Sequence, residues 1–330
     1  MTEAPRAWWT RSTVRTVAIL ITLSALAAAV LVRSGPAPPT EPPMAAPIPA
    51  GPTDEVVLAA AGDIACPPGD KPQEDACQQA ATADVVKAID PALVLTLGDN
   101  QYPSGRLEDF QGSYDVTWGR FKTITRPAIG NHETQNPDAA GYFTYFGPLA
   151  GDPETGYYSF DAGSWHVVSL NTECHGDEDC LHTGSAQDTW LRADLADNRT
   201  RCVLAYMHKP RFSSDDHHGG STAVTDLWQT LYDGGVDVVL AGHAHNYERF
   251  APQTPDGQLD LDRGMRSFVV GTGGRSLYDL GDKQPNSELF YSDGFGVLKM
   301  TLRSDGYSWE FVSTDGGSFV DSGSDTCRGP

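Results

Sequence analysis

The sequence predicts an α/β fold built on strands that are buried on both faces. Three observations carry this expectation. Short, mostly apolar runs recur along the chain, and the segments between them place apolar residues at helical spacing. Glycine and polar residues gather at the carboxyl ends of the runs, where α/β sheets bind their ligands.

In chain order, residues 55–61 predict a strand ending in Gly62-Asp63. Residues 74–89 predict a helix, because Ala76, Ala80, Ala83, Val86 and Ile89 recur at helical spacing. Residues 93–97 predict a second strand, ending in Gly98-Asp99. Leu107, Phe110, Tyr114, Trp118 and Phe121 form the apolar stripe of a second helix. Residues 157–160 and 165–170, joined by Asp161-Ala162-Gly163-Ser164, predict a hairpin. Ser185, with Asp188 three residues on, marks the start of a helix that carries Trp190, Leu191 and Leu195. A strand over 202–207 ends at His208, and a helix over 222–232 stops at Gly234-Gly235. A strand over 236–241 ends at Gly242-His243. Strands over 267–270 and 296–302 follow, and Asp305-Gly306 turns the chain into a last one over 307–312.

The chain has 330 residues, 39% hydrophobic and 20% charged, a balance that suits a globular protein. Its 23 basic and 44 acidic side chains give a formal net charge of −21. Such a chain repels phosphate backbones, which excludes general nucleic-acid binding. A small acidic site holding cations remains compatible with that charge.

Arg6, Arg11 and Arg15 precede an uncharged run over 16–32, which Arg33 closes. The run is at the short end for a membrane helix, and Ala27, Ala28 and Ala29 offer a small-residue cleavage site. The arginine bias predicts the start inside and the remainder outside, with 1–33 a signal peptide or an N-terminal membrane anchor. Left uncleaved, that segment makes the membrane a partner. Residues 34–54 form a linker, with eight prolines in the 18 residues 35–52. Proline at this density gives an extended spacer. The expected localisation is extracytoplasmic, secreted or membrane-anchored, with one large domain over 55–327. Six cysteines agree with export, because an even number in an exported chain suggests disulfides. Six cysteines allow about 15 pairings and the sequence leaves the choice open; in one of them Cys66–Cys77 and Cys174–Cys180 would close short loops, and Cys202–Cys327 would fasten the C-terminus to a core strand.

Five strand ends carry polar groups: Gly62-Asp63, Gly98-Asp99-Asn100-Gln101-Tyr102, Gly130-Asn131-His132-Glu133, His208 and Gly242-His243-Ala244-His245. Each alone has an ordinary explanation as a turn, a helix cap or a core histidine. All five in order, each behind an apolar run, point to a metal site. Carboxylate, amide oxygen and imidazole donors suit Fe, Mn, Zn or similar ions. One aspartate can bridge two cations, and such a pair can clamp both oxygens of a phosphoryl displacement.

These motifs resemble the calcineurin-like metallophosphoesterase superfamily. The stretches 98–102, 130–133 and Gly242-His243-Ala244-His245-Asn246-Tyr247-Glu248-Arg249 are similar to its purple acid phosphatase branch in particular. The resemblance implies a four-layer αββα sandwich, in which two packed mixed β-sheets are flanked by helices. It implies two metal ions, one held by Asp63, Asp99, Tyr102 and His245, the other by Asp99, Asn131, His208 and His243. His132 would be the catalytic residue, contacting the leaving oxygen or the scissile phosphate. Many members carry a histidine two residues after the first aspartate, where this chain has Ala65. Tyr102 would fill that place. A tyrosinate favours Fe(III) there, with Fe, Zn or Mn in the other position. The family often has a phosphate-contacting histidine after the His208 strand, so His217 or His218 would bind substrate. His175 and His182 are expected at the surface. The function implied is an exported phosphatase acting on small phosphomonoesters through a metal-bound hydroxide. A phosphodiesterase or nucleotidase on the same site is the alternative. A non-catalytic surface-binding protein on the same scaffold is an alternative of another class.

Overall fold

The computed structural model describes residues 55–174, 180–317 and 319–329. The expected signal or anchor segment, the whole of the linker, and His175 lie outside the described residues. Among the described residues no helix is long and apolar enough to cross a membrane.

Strands follow in chain order as β1 (Val56–Ala61), β2 (Leu93–Leu97), β3 (Thr125–Ala128), β4 (Tyr158–Ala162), β5 (Trp165–Ser169), β6 (Cys202–Met207) and β7 (Val238–Ala241). They continue as β8 (Tyr247–Gln253), β9 (Met265–Val270), β10 (Ser287–Tyr291), β11 (Gly296–Arg303), β12 (Gly306–Ser313) and β13 (Asp321–Thr326). One sheet has the order β13-β12-β11-β1-β2-β3 and the other β10-β8-β9-β7-β6-β5-β4. Both are mixed. β1, β2 and β3 run parallel while β11, β12 and β13 pair antiparallel. β5, β6, β7 and β9 run parallel, with antiparallel strands at both edges.

The alternation of side chains along a strand sorts residues into two layers. On β6, Leu204 and Tyr206 join the main core together with Leu95, Val297 and Met300 of the other sheet. Val203, Ala205 and Met207 face the opposite way and pack with Leu191, Leu227, Trp228 and Leu231 from helices Ala186–Asp197 and Thr225–Asp233. Helix Gln79–Ile89 contributes Ala83 and Val86 to the main core. The architecture is two packed mixed sheets with helices outside, as expected.

Local signals explain several boundaries. Ser185 caps its helix by accepting the N–H of Asp188 at 3.1 Å. The first helix starts at Gln79 rather than 74. The residues before it are held otherwise: Gln73 pairs with Ala76, and Cys77 has φ 60° within its disulfide to Cys66. The second expected helix is a run of short α, π and 3-10 turns over 107–124, although Phe110, Tyr114 and Trp118 are fully buried in it. Two edge strands carry little apolar signal. β3 reads Thr-Arg-Pro-Ala, and proline is tolerated at an edge, while β13 contains no large apolar residue and is held by its ladder to β12. All six cysteines pair, as Cys66–Cys77, Cys174–Cys180 and Cys202–Cys327.

Candidate metal centre

The carboxyl ends of β1, β2, β3, β6 and β7 meet where the two sheets come together. The N–H of Gly62 donates to Val270 O of the other sheet at 2.8 Å, and the N–H of Asp63 donates to Gly98 O at 3.1 Å. A side chain at Gly242 would meet Leu97 O at 2.7 Å and Asp63 Oδ2 at 2.8 Å, so only glycine permits this approach. Asp63, Asp99 and His243 all take left-handed backbone conformations, with φ of 59°, 46° and 70°. Such conformations are costly for residues with side chains and persist where the surroundings hold them.

Seven side chains from these ends converge as two groups. In the first, the Tyr102 Oη lies 2.9 Å from Asp99 Oδ2, 3.1 Å from Asp63 Oδ1 and 3.0 Å from His245 Nε2. His245 Nε2 lies 3.3 Å from Asp63 Oδ1. In the second, His208 Nε2 lies 3.0 Å from Asn131 Oδ1, 3.2 Å from His243 Nδ1 and 3.4 Å from Asp99 Oδ1. Asp99 thus reaches both groups with one oxygen each. Asp63, Asp99, Tyr102, His208 and His245 are buried, with Asp63 and His208 at 0% exposure.

The donor chemistry fits cations. His208 Nδ1–H donates to Leu97 O at 2.9 Å, which leaves the Nε2 lone pair facing an amide oxygen and a carboxylate oxygen. A single phenolic hydrogen on Tyr102 likewise faces two carboxylate oxygens. Lone pairs concentrated this way in a buried space need a positive charge among them. Without an ion, a proton supplies it. Burial opposes charge on both partners, yet Asp99 raises the His208 imidazole to about 10. Against the same burial, His208 and then His132 hold the Asp99 carboxyl far below the usual carboxylate range. Burial, followed by the charge of His208, pushes His243 down to about 2 and keeps its ring available as a neutral donor. Asp63, Asp99 and His208 together offer ligand atoms close enough to share an ion. A further grouping of Cys66, Asp70 and Cys77 offers no thiolate, because its cysteines form a disulfide.

His132 begins the next layer. Its backbone N–H donates to Asp99 Oδ1 at 2.8 Å, and its Nδ1 lies 2.6 Å from Pro103 O. That carbonyl requires a proton on Nδ1, so Nε2 is left facing the site, 3.8 Å from Asp99 Oδ2. His218 stacks on His243 with centroids 4.1 Å apart, and His217 sits one ring further out. Both are exposed. His182 is exposed, 3.9 Å from Asp226 and apart from the site.

The family model for calcineurin-like phosphoesterases matches residues 57–247, more than half of the chain. The chain belongs to the calcineurin-like phosphoesterase family. Within this family its similarity runs to purple acid phosphatases. Purple acid phosphatase 23 of Arabidopsis thaliana is 33% identical over 207 residues, covering 51% of this chain and 44% of its own length. The chain spans about half or less of the length of the curated relatives it matches. Purple acid phosphatase PPD1 from yellow lupin (Lupinus luteus) seeds shares the fold, with a TM-score of 0.68 at 19% identity over 84% of this chain and 55% of its own. GAP50, the anchor in the inner membrane complex of Plasmodium, also shares it, with a TM-score of 0.58 at 17% identity over 83% of this chain and 89% of its own. The fold of calcineurin-like phosphoesterases therefore leaves the activity to be argued from the site. The family implies a dinuclear metal site, and the two convergent groups supply donors for it.

Several contributors to the centre escaped the sequence reading. Tyr278 stacks on His245 at 4.1 Å and 6°, Ser276 Oγ lies 2.9 Å from His245 Nδ1, and the Arg275 guanidinium lies 5.1 Å from the Tyr102 ring centroid. All three follow the Gly271-Thr272-Gly273-Gly274 end of β9, a glycine-rich strand end like the others. Glu133 is fully buried and ties two of the ligand loops together, accepting the N–H groups of Gln101 at 3.1 Å and Gly130 at 2.9 Å. Burial and then Asp99 push its carboxyl up to about 8.

Proposed function

We propose that this chain is an exported binuclear-metal phosphatase that hydrolyses phosphomonoesters. The observation that carries the reading is the division of seven donors into two groups that share Asp99. Asp63, Asp99, Tyr102 and His245 would hold one ion, and Asp99, Asn131, His208 and His243 the other. When bound, a metal pair supplies an activated water nucleophile and charge stabilisation for the phosphoryl oxygens.

The chain's own residues do the rest. Asp99 supplies the shared negative charge that lets two cations lie close together. Leu97 O fixes the His208 tautomer and Ser276 steadies His245, which are the outer partners that orient ligating histidines. His132 has Nδ1–H committed to Pro103 O, so its Nε2 faces the site and, in the imidazolium form, carries the proton that would pass to the leaving oxygen. His218, and His217 beside it, would meet the substrate from the rim next to His243. A phenolate from Tyr102 favours Fe(III) in the first position, with Fe, Zn or Mn in the second. Three disulfides in the fold support an oxidising, extracytoplasmic location.

Metal analysis of the purified protein together with a panel of phosphomonoesters and phosphodiesters tests the proposal. Two metals per chain and faster turnover of monoesters are expected. A faster diester reaction would move the protein to the phosphodiesterase alternative. Metal binding without turnover of any phosphoester would favour a non-catalytic protein.

A further inference from the structure

Beside the candidate metal centre, five rings form an unbroken arc. Tyr278 lies on His245, with centroids 4.1 Å apart and planes 6° from parallel. His217 meets Tyr278 at 4.5 Å and 41°, and His218 meets His217 at 4.5 Å and 72°. His218 then lies on His243 at 4.1 Å and 21°. The arc starts on a donor of one metal group and ends on a donor of the other. His217 and His218 are exposed, so this part of the arc is reached by solvent next to the candidate metal centre. Leu280, 49% exposed, lies in the segment that follows Tyr278.

This rim is held in place by groups that have no part in metal ligation. The Asp215 carboxylate accepts the N–H groups of His217 at 3.0 Å, His218 at 2.6 Å and Gly219 at 3.0 Å. Glu248, from the motif that also carries His243 and His245, is fully buried and accepts the Ser214 N–H at 2.8 Å and the Ser287 hydroxyl at 2.6 Å. The two rim segments are laced together by Asp216 N–H to Asp279 O at 3.0 Å, Gly281 N–H to Ser214 O at 2.7 Å, and a bridge between Asp215 and Leu280. A surface fixed in advance loses little freedom when a ligand settles on it.

Ring faces recognise another flat ring through dispersion and quadrupole contacts, and they discriminate against saturated groups that lack a π face. We propose that the arc is the leaving-group subsite, and that the preferred substrates are phosphomonoesters whose leaving alcohol carries a flat aromatic or heteroaromatic ring. The proposal rests on the phosphatase reading and narrows its substrate class.

The test compares adenosine 5′-monophosphate with ribose 5-phosphate on the metal-loaded full chain. The two share the leaving oxygen and the phosphate, and differ by the base. The nucleotide should show a kcat/KM about tenfold higher, the order of one base stacked on a side-chain ring. His217→Ala and Tyr278→Leu should each pull that ratio toward unity, chiefly through KM for the nucleotide, while Tyr278→Phe should preserve it. Equal kcat/KM in the wild type overturns the inference and leaves the phosphatase reading intact, as does a ratio unchanged in both ring-removing variants. Failure to hydrolyse these two compounds and every other phosphomonoester of the panel overturns the phosphatase reading itself.

Discussion

Tyr102→Phe removes one oxygen and keeps the ring. That oxygen sits 2.9 Å, 3.1 Å and 3.0 Å from Asp99, Asp63 and His245, so the first metal position falls from four donors to three. Loss of an outer hydrogen-bond partner alone costs roughly 10–100-fold in metal affinity, and loss of a ligand should reach at least about 100-fold, or about 2.8 kcal/mol. The packing should survive. The ring keeps its contact with His132, centroids 4.2 Å apart, and its place under the Arg275 guanidinium. The second group of Asn131, His208 and His243 is untouched, so zinc or manganese binding there should persist. The assay loads wild type and variant with ferric iron and follows metal content and visible absorption. A phenolate bound to Fe(III) gives a charge-transfer band, which the wild type should show and the variant should lose. An unchanged band, or iron affinity equal in the two proteins, would refute ligation by Tyr102 and leave it only a packing role.

Three further outcomes follow from the structure. Asp99→Asn removes the charge that both groups share, so the protein should bind at most one ion tightly and lose nearly all turnover; full metal content with wild-type kcat would exclude a bridging role. His166 lies between Asp161 at 2.9 Å and Asp194 at 2.8 Å, and although burial opposes its charge, the hydrogen bonds to Asp194 and Asp161 raise its pKa above the ordinary value. A raised folded-state pKa contributes stability that is complete below about pH 6.5 and disappears as pH rises through the folded value. The difference in denaturant stability between wild type and His166→Gln should therefore shrink from pH 6 to pH 9, and a constant or growing difference would contradict the assignment. Cys202 and Cys327 are 125 residues apart, so replacing both with alanine should destabilise the fold by about 5 kcal/mol in the chain-entropy model, against about 2 kcal/mol for the Cys174–Cys180 loop with its separation of 6. Calorimetry that ranks the two losses the other way would show that strain, not loop closure, controls them.

The donors were legible because their signal is local. Asp63, Asp99, Asn131, His208 and His243 each stand within three residues of the carboxyl end of a strand, and His245 completes the His-x-His pair. Residue type states which atoms can bind a cation, and parallel strands bring such ends to one edge. The central strands were legible for a related reason: a strand buried on both faces is apolar at nearly every position. β13 was not, because Asp-Ser-Gly-Ser-Asp-Thr has no burial pattern and pairs only because β12 presents an open ladder. The turns over 107–124 were foreseen as an apolar stripe but not as a mixture of helix types, since a π turn changes the spacing without changing which side chains are buried.

By itself the sequence determined the chemistry of the centre and the α/β alternation that delivers it, while the choice among the possible cysteine pairings came from the structure. Tertiary structure alone decided the distances at which the donors meet and which oxygen of Asp99 faces each group, Oδ2 toward Tyr102 and Oδ1 toward His208. It also decided the arrival of Arg275, Ser276 and Tyr278, whose loop is brought to His245 by the pairing of β9 with β7 and β8. The physical reason is the range of the forces. Burial and backbone preference act on neighbours along the chain and leave a pattern in it. Convergence of side chains about 140 residues apart, as in the 3.0 Å contact of Tyr102 with His245, arises only when the sheets close on each other.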